Sequence, residues 1–442
     1  MKRIVLLIVF LQLYFSSHIF AYDFTVNNVY YNIIPGTQQA EVTFGESYDS
    51  YSGSVVIPQT VTHSGTNYSV TAIGEFAFAT CSNLTDISIA ETVTQIGYGA
   101  FKECVMLTSV RIPAYVREIG DYAFSVMSRM TSFEVDANNE YFSSLDGVLY
   151  NKDKTHLINY PLNKSGNKFE IPTSVISIGK EAFRECTTVN SVVFPPSLLR
   201  IENNAFHDCD NLESVIFPQG IQEVQEYAFA SCGNLGTLSI PNTLSSIETG
   251  TFWGCTQLKS VEIPENITFI GESAFRDCTE MTYLSIPSSV NKIENYAFWN
   301  CLAIRDVYVY WYAPLFIPEH TFYYEGLFRC TLHVPSPMLF IYANSSTNWR
   351  RFTNIVEFNP SGIENITQAI SIYPNPITEG FYISGIDGDS EITLWDMAGK
   401  MVFSIRIDKD TYINISHLPK GIYIIKAVRG KQLLRQEKII KN

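Results

Sequence analysis

A phenylalanine followed three residues later by a cysteine recurs along this chain at a spacing of 23 residues. Cys81 and Cys104 continue this spacing toward the N-terminus, and Met127 occupies the next cysteine position. A period this short predicts a solenoid, because one 23-residue coil cannot bury its own apolar side chains and needs neighbours on both sides. The most regular copies place cysteines at 186, 209, 232, 255, 278 and 301.

Each coil has a fixed set of apolar positions counted from its cysteine. An aliphatic residue stands eleven positions before the cysteine in every coil, from Val70 to Val290, and another stands eight positions before it. The residues six and eight positions after the cysteine face inward, with the alternation that a strand requires. We therefore expect an irregular or short helical arm and then a five-residue strand that stacks in parallel on its neighbours. A proline that costs no ladder bond ends the strand at Pro195, Pro218, Pro241, Pro264 and Pro287.

Strings such as "IGKEAFRECTTVNSVVFPPSL" and "IGESAFRDCTEMTYLSIPSSV" resemble BspA-type leucine-rich repeats. The resemblance covers roughly residues 45 to 355 and implies a mainly β solenoid, which we place at residues 70–310. One longer coil, 137–172, resembles the hairpin-bearing coil of that family and predicts a turn at Asn151 to Lys154. Such repeats are scaffolds with varied partners, so the resemblance indicates a fold more than a function.

The solenoid is flanked by segments without the cysteine spacing. Lys2, Arg3 and the apolar run that follows predict a secretory signal peptide over residues 1–21. The run is too short for a convincing transmembrane helix, so we predict no transmembrane segment. Residues 22–69 alternate in strand fashion and predict an N-terminal β cap, and residues 311–358 resemble the C-terminal cap of the family. A polar linker follows at residues 359–370.

Residues 371–442 contain short strand-like runs separated by turns with Gly or Pro, a pattern typical of a small Ig-like β-sandwich. The ordered motifs "YPNP", "LWDMAGKMV", "LPKGIYIIK" and "KIIK" resemble the type A C-terminal sorting domain of the type IX secretion system. The resemblance implies a Bacteroidetes-like source, contact with that secretion machinery, and a location that is secreted or on the outer-membrane exterior. An ordinary Ig-like accessory domain is the alternative. The motif residues are Tyr373, Pro374, Asn375, Pro376, Asp396, Gly399 and Gly421.

Charge argues against nucleic acid as a partner. The formal net charge of the chain is −14. Residues 371–442 carry ten Lys or Arg against eight Asp or Glu, and Lys2 and Arg3 are the charged residues of the predicted signal peptide. Residues 22–370 therefore carry −18, which opposes binding to a phosphate backbone.

The nine cysteines admit two interpretations. Export favours disulfides, and stacked coils about 4.8 Å apart lie within the Cα range that a disulfide tolerates. However, equivalent side chains in a stack point the same way instead of toward each other, and Met127 shows that an apolar group suffices at this position. We therefore predict buried free thiols that act as small hydrophobic side chains, including Cys330 in the cap.

No catalytic sequence motif is present, and no Cys/His spacing suits zinc, so we predict no enzyme, no cofactor and no metal site. His207 stands beside Asp208 and Asp210, which could suggest metal or acid–base chemistry. The corresponding positions of other coils hold unrelated residues, for example Trp253. We therefore interpret this segment as a variable solvent edge.

The outward strand positions, five and seven residues after each cysteine, are the remaining candidates for function. They vary from coil to coil, and exposed aromatic side chains are common at binding hot spots. Two functions are consistent with this face. The first is adhesion to an extracellular protein or glycan, and the second is glycan capture or a structural role in the envelope. A cap that covers the aromatics is the opposing interpretation. The candidate binding residues are Val193, Ile216, Tyr283, Tyr308, Tyr310 and Trp311.

Overall fold

The computed structural model describes residues 22–360, 370–373, 375–386, 388–396, 400–430 and 432–442. The predicted signal peptide and residues 361–369 of the predicted linker lie outside the described residues. The chain forms two compact units, residues 22–165 with Gly179–Arg184, and Gly166–Ile178 with Glu185–Asn442. Both consist almost entirely of strands and turns.

The first unit begins with strands that extend the sheet of its first coils. β1, β2 and β3 are antiparallel, and β3 then pairs in parallel with β6. β5 pairs antiparallel with β6, and β4 pairs in parallel with the strand that follows β6, Asn83–Ser88. This segment therefore covers the open edge of the first coil. Its strands are β1 (Phe24–Val26), β2 (Val29–Ile33), β3 (Gln39–Thr43), β4 (Ser52–Val56), β5 (Thr60–His63) and β6 (Thr66–Ile73).

Each coil of the first unit contributes two strands to two parallel ladders. Ser109 pairs with Ser132 in one ladder, and Gln95 pairs with Glu118 in the other, both 23 residues apart. In the longer coil β12, β13 and β14 form an antiparallel meander, and the chain turns at Asn151 to Lys154 as predicted. The strands are β7 (Asn83–Ser88), β8 (Gln95–Ile96), β9 (Ser109–Ile112), β10 (Glu118–Ile119), β11 (Ser132–Val135), β12 (Phe142–Leu145), β13 (Val148–Asn151) and β14 (His156–Asn159).

The second unit repeats the same two ladders. The predicted strands of successive coils pair in parallel, as Ser214 does with Thr237, except between the coils of Cys232 and Cys255. A second two-residue strand, eight and nine positions before the cysteine, pairs in the same way and with the same break. This second strand was not predicted. The strands are β15 (Lys168–Glu170), β16 (Ser177–Ile178), β17 (Ser191–Val193), β18 (Arg200–Ile201), β19 (Ser214–Ile216), β20 (Glu223–Val224), β21 (Thr237–Ser239), β22 (Ser246–Ile247), β23 (Ser260–Glu262), β24 (Phe269–Ile270), β25 (Tyr283–Ile286), β26 (Lys292–Ile293) and β27 (Asp306–Val309).

Beyond the last cysteine of the repeat, the parallel sheet continues into the predicted C-terminal cap. β28 (Thr331–Pro335) pairs with β27, and β29 (Asn354–Phe358) pairs with β28. A 3₁₀ helix, η1 (Tyr324–Arg329), precedes β28, and between β28 and β29 the chain forms one short helix, α1 (Leu339–Ala343), and a second 3₁₀ helix, η2 (Asn348–Arg351). The cap is therefore built as further irregular coils of the same solenoid.

The inward positions form ladders along each unit. The repeat phenylalanines are buried and stack face to face, with ring centroids 5.0 to 5.9 Å apart from Phe78 to Phe124 and from Phe206 to Phe298. All nine cysteines are free and buried, as predicted. In several coils the thiol donates a hydrogen bond to the phenylalanine carbonyl of the preceding coil, as Cys104 does to Phe78 at 3.0 Å.

The arm of every coil uses the left-handed backbone region twice, one and five positions before the cysteine. In the first coil these residues are Phe76 (φ 54°) and Thr80 (φ 58°). Their N–H groups donate along the solenoid to carbonyls of Tyr98 and Lys102 in the next coil, at 2.9 and 2.7 Å. Between them, the N–H of Phe78 also donates to the next coil, while those of Ala77 and Ala79 bond back within their own coil. The arm is therefore a hydrogen-bonded ladder of turns, which satisfies its backbone without a helix.

The C-terminal residues form two antiparallel sheets with a shared apolar core, in the order β30–β31–β34 and β33–β32–β35–β36. This arrangement agrees with the predicted small sandwich. The strands are β30 (Ser371–Tyr373), β31 (Gly380–Ser384), β32 (Ser390–Asp396), β33 (Met401–Ile407), β34 (Thr411–Asn414), β35 (Gly421–Arg429) and β36 (Gln432–Lys441).

Candidate binding site on the strand face

The parallel sheet β23–β25–β27–β28–β29 presents its outward side chains in rows along the stack. We call this outward side, together with that of β15–β17–β19–β21, the strand face. Tyr283 is adjacent to Asp306 in one row, and Tyr308 lies between Ser285 and His333 in the next. The side chains between them, such as Leu284 and Val307, are buried. Alternation along each strand therefore fixes which residues reach the surface.

Three of the predicted residues lie together in an aromatic cluster at the C-terminal end of this face. The rings of Tyr283 and Tyr308 are 5.4 Å apart, and Tyr308 stacks on His333 at 4.0 Å with only 4° between the planes. Phe358 contacts both Tyr308 and Tyr310 edge-on, at 5.4 and 5.3 Å. All five side chains are half-buried. The cap strands therefore support these rings without covering them completely.

A hydrogen bond fixes the orientation of the histidine in the cluster, and burial keeps the tyrosine phenols protonated. His333 Nε2 lies 2.8 Å from Asp306 Oδ1, which holds the imidazole in one orientation beneath Tyr308. Burial raises the pKa of the Tyr283, Tyr308 and Tyr310 phenols above their usual range. At neutral pH the phenols therefore remain protonated and can donate hydrogen bonds, while their rings offer rigid apolar area.

Val193 and Ile216 form a separate apolar patch of the strand face, on the neighbouring strands β17 and β19. They are exposed by 43% and 37%. Five coils separate Val193 from Tyr308, which corresponds to roughly 24 Å at the spacing of stacked strands. The structure does not bring the two predicted groups into one compact site, so only an extended partner could contact both.

Trp311 does not belong to the strand face. Its side chain is 8% exposed, and its indole N–H donates to the Val290 carbonyl at 2.8 Å. The Trp311 carbonyl in turn accepts a hydrogen bond from Tyr342, and its ring packs against Trp349. Trp311 therefore anchors the cap to the last coil, because a buried indole needs a partner for its N–H.

His333 and Phe358 belong to the cluster but were missed from the sequence, because the Phe-x-x-Cys pattern is absent after Cys301. A weaker signal was present in "TLHVP", residues 331–335, where apolar and polar residues alternate and a proline ends the run as in the earlier coils. Strand pairing shows how the coils continue here, since Asp306 faces Thr331, 25 residues further on, and Thr331 faces Asn354 at the regular 23-residue spacing.

The histidine that could have suggested metal chemistry has a local partner. His207 Nδ1 lies 2.7 Å from the carboxylate of the adjacent Asp208. Among the described residues, no group of three or more His, Cys, Asp or Glu side chains is placed to hold a metal ion.

The described parts of the sorting motifs contact one another in the C-terminal domain. Asn375 donates from its side-chain amide to the Lys438 carbonyl and accepts from the Ile440 N–H, both at 2.9 Å, so "YPNP" closes against the terminal strand. Asp396 accepts from the Lys400 N–H at 2.9 Å and closes a hairpin. Of the other motif residues, Tyr373 ends β30, Pro376 follows Asn375, and Gly421 begins β35. Pro374 and Gly399 lie outside the described residues.

Comparison with known proteins agrees with these features. The family model described as the BspA type leucine rich repeat region matches in six copies, over residues 58–164 and 160–252. The secretion system C-terminal sorting domain matches residues 371–442. No curated protein matches this chain. Within the described residues, no helix has both the length and the apolar character needed to cross a membrane.

Several solved structures are similar to this chain at low identity. A leucine-rich repeat protein of Eubacterium ventriosum is 21% identical, with 63% of this chain and 88% of that chain covered and a TM-score of 0.48. A leucine-rich repeat protein of Bacteroides ovatus is 21% identical over 76% of this chain and 100% of that one, with a TM-score of 0.42. The pneumococcal vaccine antigen PcpA is 17% identical over 76% and 98%, with a TM-score of 0.46.

The resemblances recognised in the sequence are thus confirmed by both family models. Neither family is an enzyme family, and the sorting domain implies type IX secretion to the cell surface or the medium. Residues 58–252 of this chain are therefore a BspA-type leucine-rich repeat region, and residues 371–442 are a type IX secretion C-terminal sorting domain.

Proposed function

We propose that this protein is a non-enzymatic adhesin that binds an extracellular protein partner through the strand face. The repeat family suggests a protein-interaction role at the cell surface, and the sorting domain supplies the route there. In this proposal residues 1–21 direct passage across the inner membrane as a signal peptide.

The aromatic cluster is the single observation that carries the proposal. Tyr283 and Tyr308 remain half-exposed although the cap strands could have covered them. Tyrosine combines a large rigid ring with a hydroxyl donor and loses little conformational freedom on binding, which explains its enrichment at binding hot spots. Val193 and Ile216 extend the same face, so the surface suits an extended partner.

The test is binding of residues 22–442 to immobilised fibronectin, laminin and collagen by surface plasmon resonance, with a glycan array in parallel. We expect binding to at least one matrix protein. Replacing Tyr283 and Tyr308 together with Ala should weaken that binding at least tenfold, a loss of about 1.4 kcal/mol. Replacing Val193 and Ile216 with Ser should also weaken it, with little change in melting temperature because both are exposed.

Tyr312 and Phe316 provide the matched control. They are aromatic and exposed by 59% and 71%, but they lie in the cap loop between β27 and β28. The double variant Tyr312→Ala, Phe316→Ala should bind as the parent does. Normal binding by both strand-face double variants would contradict the proposed site. Capture of glycans alone, without any matrix protein, would instead support glycan capture, the other function that the sequence left open.

A further inference from the structure

A cleft of about 680 Å³ lies on the arm side of the C-terminal cap, away from the strand face. Trp299 from the arm of the last regular coil forms one wall, η1 forms a second, and the C-terminal end of η2 with Thr353 forms the third. Its floor is Phe322, which is buried and stacks on Phe298 at 5.3 Å, so the ring continues the phenylalanine ladder. The solenoid core therefore holds the floor rigidly in place.

The walls of the cleft expose several aromatic rings. Tyr324 and Phe328 are 51% and 53% exposed, and their rings meet edge-on at 5.1 Å. Trp299 is half-buried, with His320 and Tyr323 packed edge-on against it at 5.6 and 5.1 Å. Edge-on neighbours fix the orientation of a ring and leave a face available for a ligand.

The cleft carries more positive than negative charge. Arg351 is neutralised by Glu319, with Nη2 2.7 Å from Oε1, and its guanidinium lies 5.8 Å from the Tyr324 ring centroid. The hydrogen bond from Arg351 lowers the pKa of Glu319, so this pair stays ionised at neutral pH. Arg350 also lines the cleft and is exposed, and the described part of the chain gives it no ion pair or hydrogen bond. The cleft thus retains one uncompensated cation in a chain whose net charge is −14.

We propose that this cleft binds an acidic sugar unit, a pyranose that carries a carboxylate, such as the end of a glycan chain. Arg350 would pair with the carboxylate, since a guanidinium matches a carboxylate with two parallel hydrogen bonds. The C–H face of the sugar ring would pack on Tyr324 or Phe328, and the His320 ring and Thr353 hydroxyl are available to its hydroxyl groups. The volume lies in the range of small-molecule sites, which combine apolar walls with few polar groups.

This inference is independent of the proposed function, because it concerns another surface and another ligand class. A peptide that carries an acidic side chain is the competing ligand. It could pair with Arg350, but it has no single group with both a C–H face for the rings and a set of hydroxyls for the polar rim. A sugar offers both, so the observations favour the sugar.

The experiment is calorimetric titration of residues 22–442 with sialyllactose and a hyaluronan tetrasaccharide, against lactose and chitotetraose as neutral counterparts. We expect both acidic sugars to bind at least tenfold more tightly than their neutral counterparts, and the affinity to fall as salt is raised. Arg350→Ala should remove that preference, and Tyr324→Ala should weaken binding of the acidic sugars at least tenfold. Both residues are exposed, so the melting temperature should hardly change.

Arg329→Ala and Phe340→Ala are matched controls, because both residues are exposed in the same cap but do not line the cleft. Both variants should bind acidic sugars as the parent does. Equal affinity for acidic and neutral sugars would overturn the proposal, as would unchanged binding in Arg350→Ala. Binding of an aspartate-containing peptide without binding of either acidic sugar would overturn it in favour of a peptide site. Matrix-protein binding by the strand face would be unaffected in each case.

Discussion

The cysteine of each coil fills a small apolar position, and in several coils it also donates to a backbone carbonyl. Its thiol is buried, and in coils such as that of Cys255 it donates to a carbonyl of the preceding coil, here Phe229 at 3.3 Å. The sequence predicted burial and the free thiol, because Met127 at the same position showed that an apolar group is accepted. It did not predict the hydrogen bond, which depends on how closely successive arms stack. An apolar group can replace the cysteine, but it leaves that carbonyl without the thiol donor.

Burial of a thiol also makes stability depend on pH. Burial raises the pKa of Cys81 to about 11 from 9.0. A raised pKa in the folded state means that the stabilisation is complete below pH 9 and is lost as pH rises through 11. Between pH 8 and pH 11, the free energy of unfolding should fall by about 2 kcal/mol less in Cys81→Ala than in the parent, because the variant has no thiol to titrate. Urea unfolding at a series of pH values measures this difference.

Met127→Ala is the control for this prediction. Met127 is buried at the equivalent position two coils further along, but it carries no titrating group. Its replacement should lower stability by about 2–5 kcal/mol at every pH and leave the pH dependence of the parent unchanged. If Cys81→Ala and Met127→Ala gave the same pH dependence, the Cys81 thiol would not titrate between pH 9 and pH 11 as described.

At the scale of one element, the arm shows why the sequence predicted only part of the coil. The inward ladders were predicted because their side chains repeat as aliphatic, Ala, Phe and Cys. The left-handed residues were not, because their side chains differ widely, from Phe76 and Tyr122 to Glu181. Their common property is a backbone conformation stabilised by hydrogen bonds to the next coil. Side chains alone carry little information about such bonds, and the two-residue strands were missed for the same reason.

A left-handed position that holds a β-branched residue provides a test. Val126 has φ 57°, a conformation that a β-branched residue rarely adopts. There we expect Val126→Gly to be more stable than Val126→Ala by about 1 kcal/mol, because only glycine adopts this φ without steric cost. At Lys102, which is not among the left-handed residues, the order should reverse, and Lys102→Ala should be more stable than Lys102→Gly. Urea midpoints of the four variants measure both differences, and the same order at both positions would refute the left-handed assignment.

At the scale of the whole molecule, the sequence predicted both families and part of the proposed binding surface. Tyr283 and Tyr308 were located by counting from the cysteines, and Tyr310 was included because it is close to Tyr308 in sequence; the three rings do lie in one cluster. Trp311 was placed with them because it is adjacent in sequence, but its indole anchors the cap. The cleft could not be predicted, since its walls come from three segments that meet only through the irregular cap.

Adhesion of living cells tests the central claim, that a sorted solenoid binds through its strand face. Cells lacking the gene would be complemented with the parent, with a chain truncated after residue 370, or with Tyr283→Ala, Tyr308→Ala. Adhesion to immobilised fibronectin, or to the matrix protein that the purified chain binds most tightly, would then be compared with antibody labelling of the surface. The parent should be displayed and adhere, the truncated chain should not be displayed, and the double variant should be displayed without adhering. Parent-level adhesion by the displayed double variant, or surface display of the truncated chain, would contradict the account.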